Sequence, residues 1–168
     1  CGTTPEHVRW MANSVRMLGG GIVEAPKSVP PPAADVWTGQ TPTPLAERSA
    51  FGRKLAEGKF VVSVEVNPAP GVDPQRALDG AKMLIDAGVD VVNVADGPRA
   101  MARMSNLAFC TLLVERLGIE PLLHVCGRDR NLLGQMAHLL GAHAVGLRNL
   151  VVITGDPPKV GDYPEATA

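Results

Sequence analysis

The sequence lacks net charge, long apolar runs and any dense set of cysteines. Its 168 residues carry 16 Lys and Arg against 17 Asp and Glu, a formal charge of −1. That balance gives no electrostatic ground for nucleic acid or an anionic membrane as partner. No apolar run approaches the ~20 residues that span a bilayer, and no signal-peptide pattern is visible. The three cysteines, Cys1, Cys110 and Cys126, are odd in number and widely spaced. They fit reduced thiols in a cytoplasm better than a disulfide framework. What is present is ordinary globular composition, 45% apolar and 20% charged, at a length sufficient for a real core. Prolines number 15, and most of them precede Asp73, so the two ends of the chain differ in kind.

Residues 4–18 read as a short helix. Thr4 can cap it, Pro5 takes the first helical position, and Val8, Met11, Val15 and Leu18 recur at helical spacing before Gly19-Gly20-Gly21. Residues 22–50, with Pro26, Pro30, Pro31, Pro32, Pro42 and Pro44 among small and polar residues, have the composition of a solvated connector. From residue 60 the pattern changes. Phe60–Val66, Val89–Val94, Pro121–Val125 and Leu150–Ile153 are apolar strand candidates. Between them lie three one-sided helices. The first opens at Asp73-Pro74, buries Ala77, Ala81, Leu84 and Ile85, and closes at Gly88. The second runs to Leu117 with Leu107, Cys110, Val114 and Leu117 on one face and Gly118 behind it. The third starts near Asn131 and packs Leu132, Met136, Leu139 and Leu140. This β-α-β-α-β-α-β order, at about 30 residues per unit, indicates an α/β fold with a parallel sheet buried on both faces. The choice is a doubly wound sheet or a (β/α)8 barrel. No glycine-rich phosphate fingerprint follows the first strand, which weakens the dinucleotide fold and favours the N-terminal half of a barrel.

Each strand ends in polar or special residues, which a parallel sheet gathers at one edge: Glu65-Val66-Asn67, Asn93 with Asp96, His124 with Cys126, and Thr154 with Asp156. Glu65, if buried in its apolar run, is a candidate general acid with a raised pKa. Its alternation with Val64 and Val66 also fits a strand residue on a solvated or edge face. His124 reads either as a hydrogen-bonded core histidine or as a working group. The His124–Cys126 pair suggests metal, but no further ligand cluster accompanies it. Arg128-Asp129-Arg130 suits phosphate at a helix N-terminus or an ion-pair cluster. Asp156 follows a strand and precedes the rigid Pro157-Pro158, and it is either a site carboxylate or the cap of a following helix.

Four stretches in order, VSVEVNPAPG, VNVADGPRAMARMSNLA, LLHVCGRDRNLLGQMAHLLGAHAVGLRNL and VVITGDPPKVGDYPEAT, together resemble the methylenetetrahydrofolate reductase family over residues 59–168. The opening CGTTPEHVRWMA is similar to the end of a homocysteine S-methyltransferase domain. The two occur joined by a proline-rich linker in bifunctional bacterial proteins. The resemblance implies a methyltransferase remnant over 1–21, a linker over 22–58 and a partial reductase barrel over 59–168. It further implies FAD at the C-terminal ends of the strands, NAD(P)H as hydride source, and 5,10-methylenetetrahydrofolate reduced to 5-methyltetrahydrofolate. Glu65 then matches the acid that protonates the folate ring nitrogen. Asp156 matches an aspartate beside flavin and pterin, and His124, Thr154 and Gly155 match flavin-contacting positions. Ala95 and Asp96 stand where many members carry a threonine-tyrosine pair, a departure at the second strand's flavin contact. Cys1 matches the second of a tandem zinc pair whose other ligands are missing, so zinc belongs only to a complete methyltransferase domain. Partners are then small molecules, namely folate, NAD(P)H and, for the joined domain, homocysteine. Nucleic acid and membrane are not expected, an oligomer is left open, and the location is the cytoplasm. The chain is expected to be the central piece of such a protein, without FAD binding or activity by itself. The competing expectations are a non-catalytic half barrel with an exposed edge, or another folate- or phosphate-binding barrel enzyme without flavin.

Overall fold

The computed structural model describes residues 41–166. The helix expected over 4–18, most of the proline-rich stretch and Cys1 lie outside them. Four strands, β1 (Ser63–Val66), β2 (Val91–Val94), β3 (Pro121–Cys126) and β4 (Asn149–Ile153), pair in parallel in the order β1-β2-β3-β4. Three helices connect them: α3 (Gln75–Asp86), α4 (Asn106–Leu117) and α5 (Leu132–Ala144), preceded by α1 (Leu45–Arg48) and α2 (Ala50–Ala56). Each strand is laid beside the previous one with no reversal of direction. Right-handed crossovers that always step the same way put every helix on one face. A doubly wound sheet would reverse its order at a switch point. The architecture is therefore three βα units and a fourth strand of a partial (β/α)8 barrel.

The core lies between sheet and helices. Val92, Val94, Leu123 and Val125 pack with Leu78, Ala81, Phe109, Cys110 and Leu113, all buried. Local signals set the helix ends. Asp73 Oδ1 accepts from Gln75 N at 2.9 Å, and Asn131 Oδ1 accepts from Gly134 N at 2.8 Å. Gly88 and Gly118 follow α3 and α4, as the sequence predicts.

Four expectations are corrected. The strands are not all buried on both faces. β2 and β3 are, but β1 alternates exposed and half-buried, because an edge strand is covered on one side only. Its predicted start is also trimmed, with Phe60 91% exposed. The α4 stripe is rotated: Phe109, Cys110 and Leu113 are buried, whereas Val114 is exposed. In α5, Leu132, Met136 and Leu140 are exposed, while Ala142 is buried and Leu139 half-buried. Ala142 and Leu139, not the larger leucines, carry its packing.

Residues 45–48 and 50–56, inside the linker expected over 22–58, are helical. The reason is non-local. Ser49 caps α2 by accepting from Gly52 N at 2.8 Å, and donates to Asn149 Oδ1 at 2.7 Å. Glu120 accepts from Ala50 N at 2.8 Å, Phe51 N at 3.0 Å and Asn149 Nδ2 at 2.8 Å. These bonds fasten α2 to the N-terminal ends of β3 and β4 and satisfy helix amides that have no partner within the helix.

Candidate functional site at the C-terminal ends of the strands

Strand parity places Ser63, Glu65, Asn93 and His124 on the face turned away from the helices. There they form a polar diagonal. Asn93 Nδ2 donates to Ser63 Oγ at 2.7 Å, and His124 Nε2 lies 3.1 Å from Asn93 Oδ1. With the Asn93 amide nitrogen turned to Ser63, its oxygen faces the imidazole, so His124 donates from Nε2. Burial lowers the His124 pKa below its ordinary value, while the Glu65 and Asp96 carboxylates pull the other way. The neutral ring then keeps its lone pair on Nδ1. Behind it, buried Asn106 donates from Nδ2 to the His124 carbonyl at 2.7 Å and fixes the strand.

Glu65 is in register with Asn93 and exposed, not enclosed by apolar neighbours. A groove of about 590 Å³ lies beside it, lined by Glu65 together with Asn67, Asp73, Arg76 and Arg103. Ala95 is buried, and its amide donates to the Val66 carbonyl at 3.3 Å, so it offers no side-chain function. Asp96 is 9% exposed with both oxygens engaged. Oδ2 accepts from Cys126 N at 2.8 Å and from Arg130 Nη1 at 2.6 Å, and Oδ1 accepts from Arg130 Nη2 at 3.2 Å. This fork raises the Arg130 pKa against the opposing pull of burial.

Arg128 and Asp129 form a second fork, at 2.7 and 2.5 Å. Of the two readings of Arg128-Asp129-Arg130, the structure takes the ion pairs, since both guanidiniums are spent inside the protein.

Thr154 is exposed and its carbonyl lies 3.5 Å from Cys126 Sγ. Gly155 has φ +90, and a Cβ there would overlap Cys126 Sγ, so neither conformation nor space admits a side chain. Asp156 Oδ2 accepts from Arg99 N at 2.7 Å. Arg99 and Ala100 both have positive φ, +60 and +53. The Asp156 carboxylate thus pins a strained turn in the β2 loop. The expected second helix does not fill this loop, which holds a 3-10 turn at Pro98–Ala100 instead. Asp162, unmarked in the sequence, accepts from Ala102 N at 2.7 Å and stitches the same two loops. Among the described residues, no three His, Cys, Asp or Glu side chains converge as a metal site. Cys1, the expected zinc ligand, lies outside the described residues.

Residues 50–168 match the family model described as methylenetetrahydrofolate reductase. The chain belongs to the methylenetetrahydrofolate reductase family. Members are oxidoreductases of folate one-carbon metabolism acting on small molecules, and the four-stranded parallel sheet accords with that membership. No curated protein matches the chain. No described helix is long and apolar enough to cross a membrane. The family implies a flavin, and the donor set fits one in part. An exposed carboxylate at Glu65, a neutral imidazole at His124 and the backbone of Thr154-Gly155 stand at one edge of the sheet, whereas Asp96 has no free oxygen to add.

Proposed function

We propose that this reductase segment works with FAD and NAD(P)H to convert 5,10-methylenetetrahydrofolate to 5-methyltetrahydrofolate. The observation that carries the reading is the open polar face, Ser63–Asn93–His124 with Glu65 beside it, in a chain of this family. FAD, when bound, supplies the hydride relay from nicotinamide to folate. The residues to hold it are His124, Thr154, Gly155 and the backbone at Ala95 and Asp96. Glu65 is the proton donor to the folate ring nitrogen. Its exposed carboxyl on the open face leaves it accessible to a folate lying there. Asp156 supplies a fixed negative charge near the positive charge that develops as the folate ring opens. We further propose that a homocysteine S-methyltransferase domain precedes the reductase, with Cys1 as one zinc ligand. The coding sequence upstream of Cys1 tests that by the presence or absence of the remaining zinc cysteines.

The test of the reductase reading is Glu65→Gln in the natural full-length protein, with the half-reactions measured separately. Flavin reduction by nicotinamide should survive, and folate reduction should fall about 10²–10⁴-fold. Loss of both in a folded, flavin-loaded variant would count against the role of Glu65.

A further inference from the structure

The Arg128 side chain is only 7% exposed, yet it lies in the loop after β3, between two loops from other strands. Its guanidinium is used on every side. Nε and Nη2 fork onto Asp129, Nη2 also donates to Gly97 O at 3.1 Å, and Nη1 donates to Asp156 O at 2.9 Å. The room for it is made by two glycines. A Cβ at Gly97, where φ is +55, would stand 2.7 Å from Arg128 Nη2. A Cβ at Gly155 would stand 3.3 Å from Arg128 Nη1 and from its Cβ. So three successive loops share one cation. The β3 loop provides it, the β2 loop offers Gly97 O, and the β4 loop offers the carbonyl of the same Asp156 whose carboxylate pins Arg99.

We propose that Arg128 is a positioning residue: its forked guanidinium ties the β2 and β4 loops together and thereby sets where the Asp156 carboxylate stands over the open face. The inference rests on the reductase reading for its effect on turnover, but its structural half does not. A planar fork with fixed donor directions can bridge two carbonyls while paired to a carboxylate. A lysine ammonium, a point charge on a flexible stem, cannot hold the same three directions. The Asp129 pairing keeps the fork oriented, in the manner of a group that fixes a working residue without touching substrate.

The experiment is Arg128→Lys in the natural full-length protein, read first by amide hydrogen exchange. Peptides covering 97–103 and 155–162 should both exchange about tenfold faster, while β2 and α2 stay protected. In the flavin-loaded variant the folate half-reaction should slow about tenfold to 10²-fold, as expected for a misplaced charge. The nicotinamide half-reaction should stay near wild type. Adding Asp156→Asn should cost little more, because both changes act through one carboxylate. Faster exchange in one loop only, equal slowing of both half-reactions, or fully multiplicative effects with Asp156→Asn would overturn the proposal. If Arg128→Lys does not fold, Asp129→Asn loosens the fork with the guanidinium kept, and it is read in the same way. A wild type that binds flavin but does not reduce the folate would sink the reductase reading, and the exchange result would still decide whether the clasp exists.

Discussion

The two ends of the sheet are fastened by opposite chemistry. At the N-terminal end one carboxylate, Glu120, collects donors: the amides of Ala50 and Phe51 and the Asn149 side chain. At the C-terminal end one guanidinium, Arg128, collects acceptors: Asp129, Gly97 O and Asp156 O. The lower anchor satisfies the free amides of a helix start, where negative charge belongs, and it leaves no strained backbone around it. The upper clasp holds a turn with two non-glycine residues at positive φ, in the loop after β2. Strain is retained where loops must present groups to a ligand and is absent where the structure only needs closing. The lower end should therefore answer to mutation in stability, and the upper end in stability and turnover together.

The sharpest way to break that contrast is Gly155→Ala. It imposes a Cβ on a residue at φ +90 and drives it into Cys126 Sγ. The conformational cost is about 1–2 kcal/mol, and overpacking adds about 1–3 kcal/mol. Thermal unfolding should show the fall, with folate turnover lost in whatever folds. Next comes Glu120→Gln, which turns an amide nitrogen toward backbone donors and should cost about 1–3 kcal/mol. Denaturant midpoints should drop while both half-reactions stay near wild type. A turnover defect larger than the stability loss explains would mean that the two ends are not separable. The smallest effect is a pH dependence on the open face. Burial lowers the His124 pKa, so the unfolded chain binds its proton more tightly than the fold does. Stability from this residue is present above the unfolded value, about 6.5, and declines as pH falls from there toward the lower folded value. His124→Gln should flatten that part of the stability–pH curve. An unchanged slope would show that the ring is not desolvated in solution.

Much of the fold was legible because its signals are local. Strand runs, the Asp73 and Asn131 caps and the glycines after α3 and α4 each depend on neighbours a few residues away. What escaped was long-range. α2 looks like connector because its stabilising partners, Glu120 and Asn149, lie about 70 and 100 residues downstream. The β2 loop looks like the start of α4 because the carboxylates that hold it, Asp156 on Arg99 N and Asp162 on Ala102 N, come 57 and 60 residues later. Strand order alone places the candidate residues at one edge of the sheet, but their hydrogen-bond partners are not legible in the sequence. Glu65 proved to stand on the exposed face, in keeping with its alternation. Asp96 turned inward to Arg130, which no spacing rule could signal. α5 misled because large leucines mark a helix well without marking its buried side.

The Asp156–Arg99 contact also has a meaning in time. A ribosome delivers the turn at Arg99 and Ala100 well before the carboxylate that holds it. At about 5–20 residues per second, the separation of 57 residues amounts to roughly 3–11 seconds. During that interval the β2 loop has no reason to adopt its left-handed turn. The geometry of this turn is thus set only once the loop after β4 is made, onto strands that can already be in place.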